Sequence, residues 1–184
     1  MAVLDVPVTG ATDNRAEHRV DRRRVLATVL FTDIVDSVAR AWDVGDHAWC
    51  DLLEQHDRLV RGELERWTGR EIDSAGDGFF AAFDRPRDAV ACAYSIARDV
   101  TALDLEVRAG VHTAEVECVG GKLAGIGVLI GARLTAHARG GEVLVSRTVK
   151  DLLTDTEMRF RERGVYELRG IPGGWPLYAV ECSV

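Results

Sequence analysis

The order of strand-like and helix-like segments between residues 25 and 113 constrains the fold more than any other feature of the sequence. Residues 25–32 are mostly apolar and are typical of a strand, whereas residues 46–67 place apolar side chains at helical spacing. Two short strand-like segments then flank a turn, a helix begins at Pro86, and a further strand covers residues 105–113. The order β-α-β-β-α-β predicts an α+β fold with a ferredoxin-like core, in which helices cover one face of an antiparallel sheet.

The C-terminal part of the chain adds helices and strands to this core. The pattern predicts a strand at residues 115–119, a glycine-rich loop at 120–125 and a helix at 126–137. A short strand at 142–145 and a short helix at 147–152 follow, and residues 160–168 and 177–181 form a closing hairpin. The first 24 residues have no sustained periodicity, which is typical of a flexible leader or linker. We therefore expect a leader over residues 1–24 and one domain over residues 25–184.

The composition excludes several classes of protein. A length of 184 residues suits one domain that buries a full core without disulfide bonds. The formal net charge of -7 argues against a general nucleic-acid-binding protein, but it leaves room for a local basic site that meets a phosphorylated small molecule. The four cysteines have no paired spacing, and neither a signal peptide nor an apolar run of membrane-spanning length is found. We therefore expect a cytoplasmic protein with reduced cysteines and no membrane span in this chain.

Two aspartates stand in apolar, strand-like surroundings. Asp33 follows the apolar residues 29–31 closely, and Asp77 lies between Gly76 and Gly78 at a predicted turn. A buried carboxylate is costly unless it meets a cation or a hydrogen-bond donor, so the pair suggests a divalent metal site. Glycines at the turn allow positive φ and a close approach of the backbone to a phosphate. Taken alone, however, this segment is better explained by a tight turn in which Asp77 caps its own backbone.

The remaining histidines and tryptophans do not indicate a second centre. The histidines at positions 47, 56, 112 and 137 have no metal-ligand spacing with one another, and each is interpreted as a helix-face or strand-end residue. No nucleophile triad emerges from the sequence. The four tryptophans are interpreted as core or interface anchors rather than as part of a cofactor site.

Four segments together resemble one known family. They are Phe-Thr-Asp-Ile-Val-Asp-Ser at residues 31–37, Gly-Asp-Gly-Phe-Phe-Ala-Ala-Phe at residues 76–83, Arg-Ala-Gly-Val-His-Thr at residues 108–113 and Gly-Ala-Arg-Leu at residues 131–134. In order and spacing they are similar to the catalytic domain of class III adenylate and guanylate cyclases, and above all to actinobacterial members. The similarity runs over residues 25–180, and several motifs in register are more specific than any one of them.

The resemblance implies a reaction and a set of site residues. Members of the family convert ATP or GTP to the 3′,5′-cyclic nucleotide and pyrophosphate, by attack of the ribose 3′-hydroxyl on the α-phosphorus. Two Mg²⁺ or Mn²⁺ ions per site would be held by Asp33, Asp77 and the backbone carbonyl of Ile34. Arg133 matches the residue that stabilises the α-phosphoryl charge in the transition state, and Arg169 matches the residue that holds the terminal phosphates. The resemblance also implies a head-to-tail homodimer with shared active sites.

Three substrate-binding positions depart from the family pattern. Adenylate cyclases of this class have a lysine four residues before the turn aspartate and an aspartate in the glycine-rich loop, whereas this chain has Asp73 and Lys122. An acidic residue at position 73 suits guanine, which offers donors at N1 and N2. Alternatively, Asp73 and Lys122 recognise adenine, or the two side chains pair with each other. Leu129, four residues before Arg133 on one helix face, replaces an asparagine or histidine that orients the ribose. The alternative role for Leu129 is packing in the dimer interface.

Two hypotheses about function follow from this comparison. The first is a purine-nucleotide cyclase that uses two metals and recognises the base by non-standard residues. The second is a weakly active or inactive cyclase-like domain that serves as a regulatory, nucleotide-binding dimerisation module. The intact metal and phosphate positions favour the first hypothesis, and the three departures favour the second. A diguanylate cyclase or polymerase palm is disfavoured, because the turn lacks a Gly-Gly-Asp-Glu-Phe sequence.

Overall fold

A mixed eight-stranded sheet runs through residues 22–154 and 157–181, which are the residues that the computed structural model describes. The strands are β1 Arg22–Ile34, β2 Arg70–Ala75, β3 Gly78–Phe83, β4 Val107–Val119, β5 Lys122–Ala124, β6 Val143–Ser146, β7 Arg159–Glu167 and β8 Gly174–Glu181. The helices are α1 Ser37–Val44, α2 Asp46–Arg66, α3 Pro86–Asp99, α4 Ile126–Thr135 and α5 Arg147–Leu152, with a 3-10 turn over Val100–Leu103. Within these residues, no helix combines the length and the apolar character that a membrane crossing requires.

The two longest strands form the centre of the sheet. The strand order is β2-β3-β1-β4-β6-β8-β7, and β5 pairs with β4 outside this path. All neighbouring strands are antiparallel except β4 and β6, which are parallel. β1 and β4 remain paired over all 13 residues of each strand. The predicted α+β class with a ferredoxin-like core and additional C-terminal elements is confirmed.

Helices pack on both faces of this sheet. Leu30 of β1 belongs to the main core, which also contains buried residues of α2 and α3. Its neighbour Phe31 points to the other face, because side chains alternate along a strand, and there it meets α4. A Cβ atom at Gly131 of α4 would lie 3.1 Å from the Phe31 ring, and one at Gly110 of β4 would lie 2.5 Å from the backbone nitrogen of Thr135. These two glycines therefore allow α4 to lie directly on β1 and β4.

Two boundaries in the middle of the chain differ from the sequence predictions. The predicted strands at residues 105–113 and 115–119 form one strand, β4, because Ala114 and Glu115 stay paired with β1. The predicted glycine-rich loop contains β5, which a turn at Gly120 and Gly121 folds back onto the end of β4. Both glycines have positive φ, a conformation that other residues rarely adopt.

Two differences concern the N-terminal half. The sequence pattern does not predict α1, an eight-residue helix that buries none of its residues. β1 begins at Arg22, so the predicted leader boundary at residue 24 falls inside a strand. Residues 22–24 continue the pairing of β1 with the end of β4. The rest of the predicted leader, residues 1–21, lies outside the described residues.

Candidate active site

The turn that carries Asp77 is a two-residue connection between β2 and β3. Ala75 pairs with Gly78, so Gly76 and Asp77 form its tip. Gly76 has a φ of 64°, which a side chain would strain. Gly78 is an ordinary strand residue, but a Cβ atom there would lie 3.2 Å from the carbonyl oxygen of Thr32. One glycine therefore permits the sharp turn, and the other permits its close approach to β1.

The strand register brings the three predicted metal ligands to one end of the sheet. β3 and β1 are paired in antiparallel register up to Phe79, which stands opposite Thr32. Continuing this register by one residue places Asp33 beside Gly78, and one more places Ile34 beside Asp77. The register therefore brings the backbones of Asp33, Ile34 and Asp77 to the same end of the sheet, and their joint role as metal ligands stays a prediction.

Asp33 is bound by an arginine to which the sequence analysis assigns no role. Arg108 stands opposite Asp33 in β4. Its Nε donates to Asp33 Oδ2 at 2.8 Å, and its Nη2 donates to the same oxygen. Oδ1 takes no part in either bond, so Asp33 keeps one oxygen for a further ligand. The sequence signal for this pair is a basic residue inside a predicted apolar strand next to the strand of Asp33.

Asp77 has a carboxylate oxygen that the protein does not satisfy. Its Oδ2 atom is buried and has no hydrogen-bond partner in the part of the chain that the structure describes. A backbone cap does not account for this oxygen; in β2 it is Asp73 that accepts a bond from the backbone nitrogen of Ser74, at 3.0 Å. A buried carboxylate with an unsatisfied oxygen fits a site that supplies a divalent cation or a further hydrogen-bond donor. Residues 22–154 and 157–181 hold no group of three or more acidic, histidine or cysteine side chains arranged for a metal. A cation bound at Asp77 would therefore take further ligands from substrate and water.

His56 of α2 lies against the strand that follows Asp77. Its side chain is fully buried, and its ring centroid is 5.7 Å from that of Phe79. Burial lowers the pKa of His56, and the nearby Asp57 and Asp77 oppose this shift. The sequence interpretation of His56 as a helix-face residue misses this position, because helical spacing does not show which strand a helix covers.

A cavity of about 570 Å³ opens beside Asp77, between the turn and the first two helices. Trp42 of α1 and Trp49 and Leu53 of α2 form its apolar wall, and Ser37 and Asp77 lie at its edge. Trp42 is 84% exposed, so it is not the core anchor that the sequence suggests; its alternative role as an interface anchor stays a prediction. The cavity leaves Asp77 accessible from the side of α2.

The two arginines implied for phosphate binding lie together at a second location. Arg133 is in the last turn of α4, and its Nε donates to the backbone carbonyl of Arg169 at 3.3 Å. Arg169 begins the β7–β8 connection, where residues 167–174 line an open pocket. Within the described residues, no ion pair joins either arginine to Asp33 or Asp77. One chain therefore presents the acidic pair and the basic pair as separate groups.

The three positions that depart from the family pattern are all exposed. Asp73 lies in β2 and Lys122 lies in β5, and no ion pair between them occurs in the described part of the chain. Leu129 of α4 is 50% exposed, one helical turn before Arg133. Pairing of Asp73 with Lys122 is therefore not found within one chain, and Leu129 is not part of its core.

Comparison with solved structures defines the class of this fold. The chain superimposes on the adenylyl cyclase CyaB from P. aeruginosa with a TM-score of 0.84, over 89% of this chain and 97% of that one. The two sequences are 20% identical, so this likeness concerns the fold alone.

Sequence comparison then shows the family. The family model described as the adenylate and guanylate cyclase catalytic domain matches residues 21–181, and the chain belongs to this class III nucleotide cyclase family. An uncharacterized protein of Mycobacterium tuberculosis is 37% identical over 150 residues, which are 79% of this chain and 52% of that protein. A second uncharacterized M. tuberculosis protein is 35% identical over 174 residues, or 92% of this chain and 67% of that protein. The chain thus spans about half the length of the first of these relatives. The resemblance to mycobacterial-type cyclase domains is confirmed.

Proposed function

We propose that this domain is a purine-nucleotide cyclase that converts ATP or GTP to the 3′,5′-cyclic nucleotide and pyrophosphate. The observation that carries the proposal is the meeting of Asp33, Ile34 and Asp77 at one end of the sheet, where Arg108 binds one Asp33 oxygen and leaves the other free. Membership of the cyclase family supports the same reaction class. Catalysis, substrate and assembly are the parts that go beyond this membership.

The proposed metal ligands are Asp33, Asp77 and the Ile34 carbonyl oxygen. When bound there, two Mg²⁺ or Mn²⁺ ions would activate the ribose 3′-hydroxyl and neutralise phosphate charge. Asp33 contributes its Oδ1, since Oδ2 is engaged by Arg108. Arg108 orients the Asp33 carboxylate by a double hydrogen bond from one guanidinium group.

The basic half of the proposed site consists of Arg133 and Arg169. A guanidinium group at the α-phosphoryl oxygens stabilises the transition state more than the ground state, because the charge there grows during the reaction. In one chain these arginines contact each other rather than the aspartates. We therefore propose a head-to-tail homodimer in which the aspartates of one chain and the arginines of its partner form each of two shared sites.

The proposed base contacts are Asp73 and Lys122. Asp73 as acceptor and Lys122 as donor match the N1, N2 and O6 groups of guanine better than those of adenine. Their exposure leaves both side chains free to face a base across the proposed interface. Leu129 cannot hydrogen-bond to the ribose, so we expect a slow enzyme, with a loss of about one to three orders of magnitude if the ribose is misaligned.

The decisive experiment measures product formation. The purified protein is incubated with ATP or GTP, each with Mg²⁺ and with Mn²⁺, and cyclic nucleotide is quantified. Asp77→Ala is the inactive control. Asp84→Ala, an exposed aspartate at the other end of β3, is the matched control and should retain activity. Product at the Asp77→Ala level in all four mixtures contradicts the cyclase proposal; cyclisation of ATP but not GTP contradicts the guanine preference.

The second candidate is a nucleotide-binding dimerisation module with little or no turnover. The half-exposed Leu129 at the ribose position favours it. This candidate predicts a dimer in sedimentation experiments and binding of a nucleotide by calorimetry, with no cyclic product. Product formation above the Asp77→Ala control excludes it.

We further propose that the catalytic unit comprises residues 25–184 together with residues 22–24, with which β1 begins. The rest of residues 1–24 is proposed to be a leader. A cytoplasmic location is part of the same proposal, and the free thiols of Cys50, Cys92 and Cys118 support it. Expression of residues 22–184 tests the boundary: it should fold with the thermal stability of the full chain. A loss of cooperative unfolding would show that earlier residues belong to the domain.

A further inference from the structure

Most of the unsatisfied polar atoms in the protein interior are found beneath the Asp77 turn. Five buried side-chain nitrogen or oxygen atoms lack a hydrogen-bond partner within residues 22–154 and 157–181. Arg40 Nε is one of them. The other four belong to Thr32, His56 and Asp77. An isolated buried polar atom is costly, so four of them near one another suggest a shared hydrogen-bond arrangement.

The sheet register brings these three residues together. Thr32 stands directly opposite Phe79, and the ring of Phe79 packs on His56. Asp77 lies in the turn directly before β3, two residues before Phe79. Thr32 and His56 therefore both lie beside Phe79 on the face of the sheet that α2 covers, and the turn that carries Asp77 comes directly before this strand.

The cavity beside Asp77 gives a second, independent indication of this proximity. Its wall includes Trp49 and Leu53, which share one face of α2 with His56. Leu53 is one helical turn before His56, and it lines the same space as Asp77. His56 thus lies on the face of α2 that lines this space, one helical turn beyond Leu53.

Two carboxylates, Asp57 and Asp77, lie near His56, and neither makes a short hydrogen bond to its ring. Asp57 Oδ1 lies 3.5 Å from His56 Nδ1, which is long for a hydrogen bond. The other oxygen of Asp57 is already paired with Arg61 at 3.1 Å. Asp77 Oδ2 is buried without a partner, and a neutral histidine has one N–H to donate.

We propose that His56 is a positioning residue for Asp77: it donates a ring N–H to one water, which in turn donates to Asp77 Oδ2 and contacts the Thr32 hydroxyl. The bond fixes the rotation of the Asp77 carboxylate, so that Oδ1 faces the end of β1 where Asp33 lies. Outer partners of metal-binding carboxylates orient them in this way. The inference rests on the proposed function only for the role of Asp77 as a metal ligand.

A spectroscopic experiment tests the hydrogen bond without any activity. The protein is labelled with ¹⁵N-histidine, and the His56 ring signals are assigned by their loss in His56→Gln. The ring N–H signal of His56 should shift in Asp77→Asn and stay nearly unchanged in Asp57→Asn. An unchanged signal in Asp77→Asn, or a larger shift in Asp57→Asn, overturns the proposal.

A kinetic experiment tests the positioning role. His56→Leu fills the space without a donor, and it should raise the Mn²⁺ concentration needed for half-maximal activity by about tenfold or more. His56→Gln, which restores an N–H donor, should return that concentration to within about threefold of the parent. Val60→Ala, one turn further along α2 and equally buried, is the control for lost packing. A folded His56→Leu protein with the parental Mn²⁺ requirement contradicts the role. A His56→Gln protein that needs as much Mn²⁺ as His56→Leu contradicts it too.

The two experiments separate failure of this inference from failure of the proposed function. If the parent protein forms no cyclic nucleotide, the cyclase proposal fails, while the histidine spectra still decide whether His56 bonds to Asp77. If the parent is active and the spectra show no effect of Asp77→Asn, the inference fails and the cyclase proposal stands.

Discussion

The contact between α4 and the central strands offers a sensitive test of how the proposed site is held together. A methyl group added at Gly110 of β4 would lie 2.5 Å from the backbone nitrogen of Thr135 and 2.9 Å from the carbonyl oxygen of Gly131. Both atoms belong to the backbone of α4, so no side-chain rotation relieves the overlap. The Gly110→Ala substitution must therefore move the helix as a unit, together with Arg133.

The size of the effect follows from this geometry. Ordinary van der Waals contact begins at 3.4 Å, whereas the added Cβ atom would lie 2.5 Å from the Thr135 nitrogen. The helix α4 must therefore move away from β4 by about 1 Å. Overpacking of this kind costs about 3 kcal/mol, the upper end of the usual range, because the neighbours are backbone atoms. For a domain of this size, that loss lowers the Tm by about 6–12 °C. A 1 Å displacement of Arg133 would also reduce cyclisation by about 100-fold.

The assay is thermal unfolding followed by circular dichroism, with product formation measured below the transition. Gly62→Ala is the matched control, because Gly62 lies in α2 and a Cβ atom there meets nothing within 4 Å. It should raise stability by about 0.5–1 kcal/mol, since alanine favours helix. Removing the Thr135 hydroxyl should not rescue Gly110→Ala, because the closest atom is the backbone nitrogen. A Gly110→Ala protein that unfolds within about 2 °C of the parent refutes the reasoning.

Three further predictions concern assembly, the ribose position and pH. Asp77→Ala and Arg133→Ala chains, each inactive alone, should regain about a quarter of the parental activity when mixed equally, because half of the dimers then carry one intact site; demonstrated heterodimers without activity contradict shared sites. Leu129→Asn should raise kcat by about tenfold or more by orienting the ribose, whereas Leu152→Asn, at an exposed leucine of α5, should not; equal rates for both variants speak against this role. Burial lowers the pKa of His112 to about 4, so the unfolded chain takes up a proton first as the pH falls. The free energy of unfolding should therefore decrease by about 2 kcal/mol between about pH 7.5 and about pH 5, and His112→Asn should flatten this dependence in denaturant titrations.

The sequence predicts the proposed metal site better than the residues around it. Asp33 and Asp77 stand out because each carboxylate is set among strand-forming residues or turn glycines, a local pattern that needs no knowledge of the fold. Arg133 and Arg169 are different. Each is an ordinary arginine by itself, and only the resemblance to cyclases implies its role.

Arg108 and His56 could not be assigned from the sequence for a common reason. Arg108 meets Asp33 because β4 pairs with β1 in one particular register, across 75 positions of sequence. His56 meets Phe79 because α2 crosses one particular strand. Periodicity along the chain identifies strands and helices, but it does not state which residue of one element faces which residue of another.

The class of fold and the family follow from the sequence alone, because local apolar periodicity and motif spacing are properties of the chain; the acidic pair as a metal site stays a prediction. The tertiary structure decided which oxygen of Asp77 is left unsatisfied, which arginine binds Asp33, and that Arg133 and Arg169 form a group of their own. These facts depend on strand register and helix packing, which are set by the burial of residues distant in sequence. For the same reason, Leu129 and Trp42 read as ordinary apolar residues in the sequence, and only the folded chain exposes them.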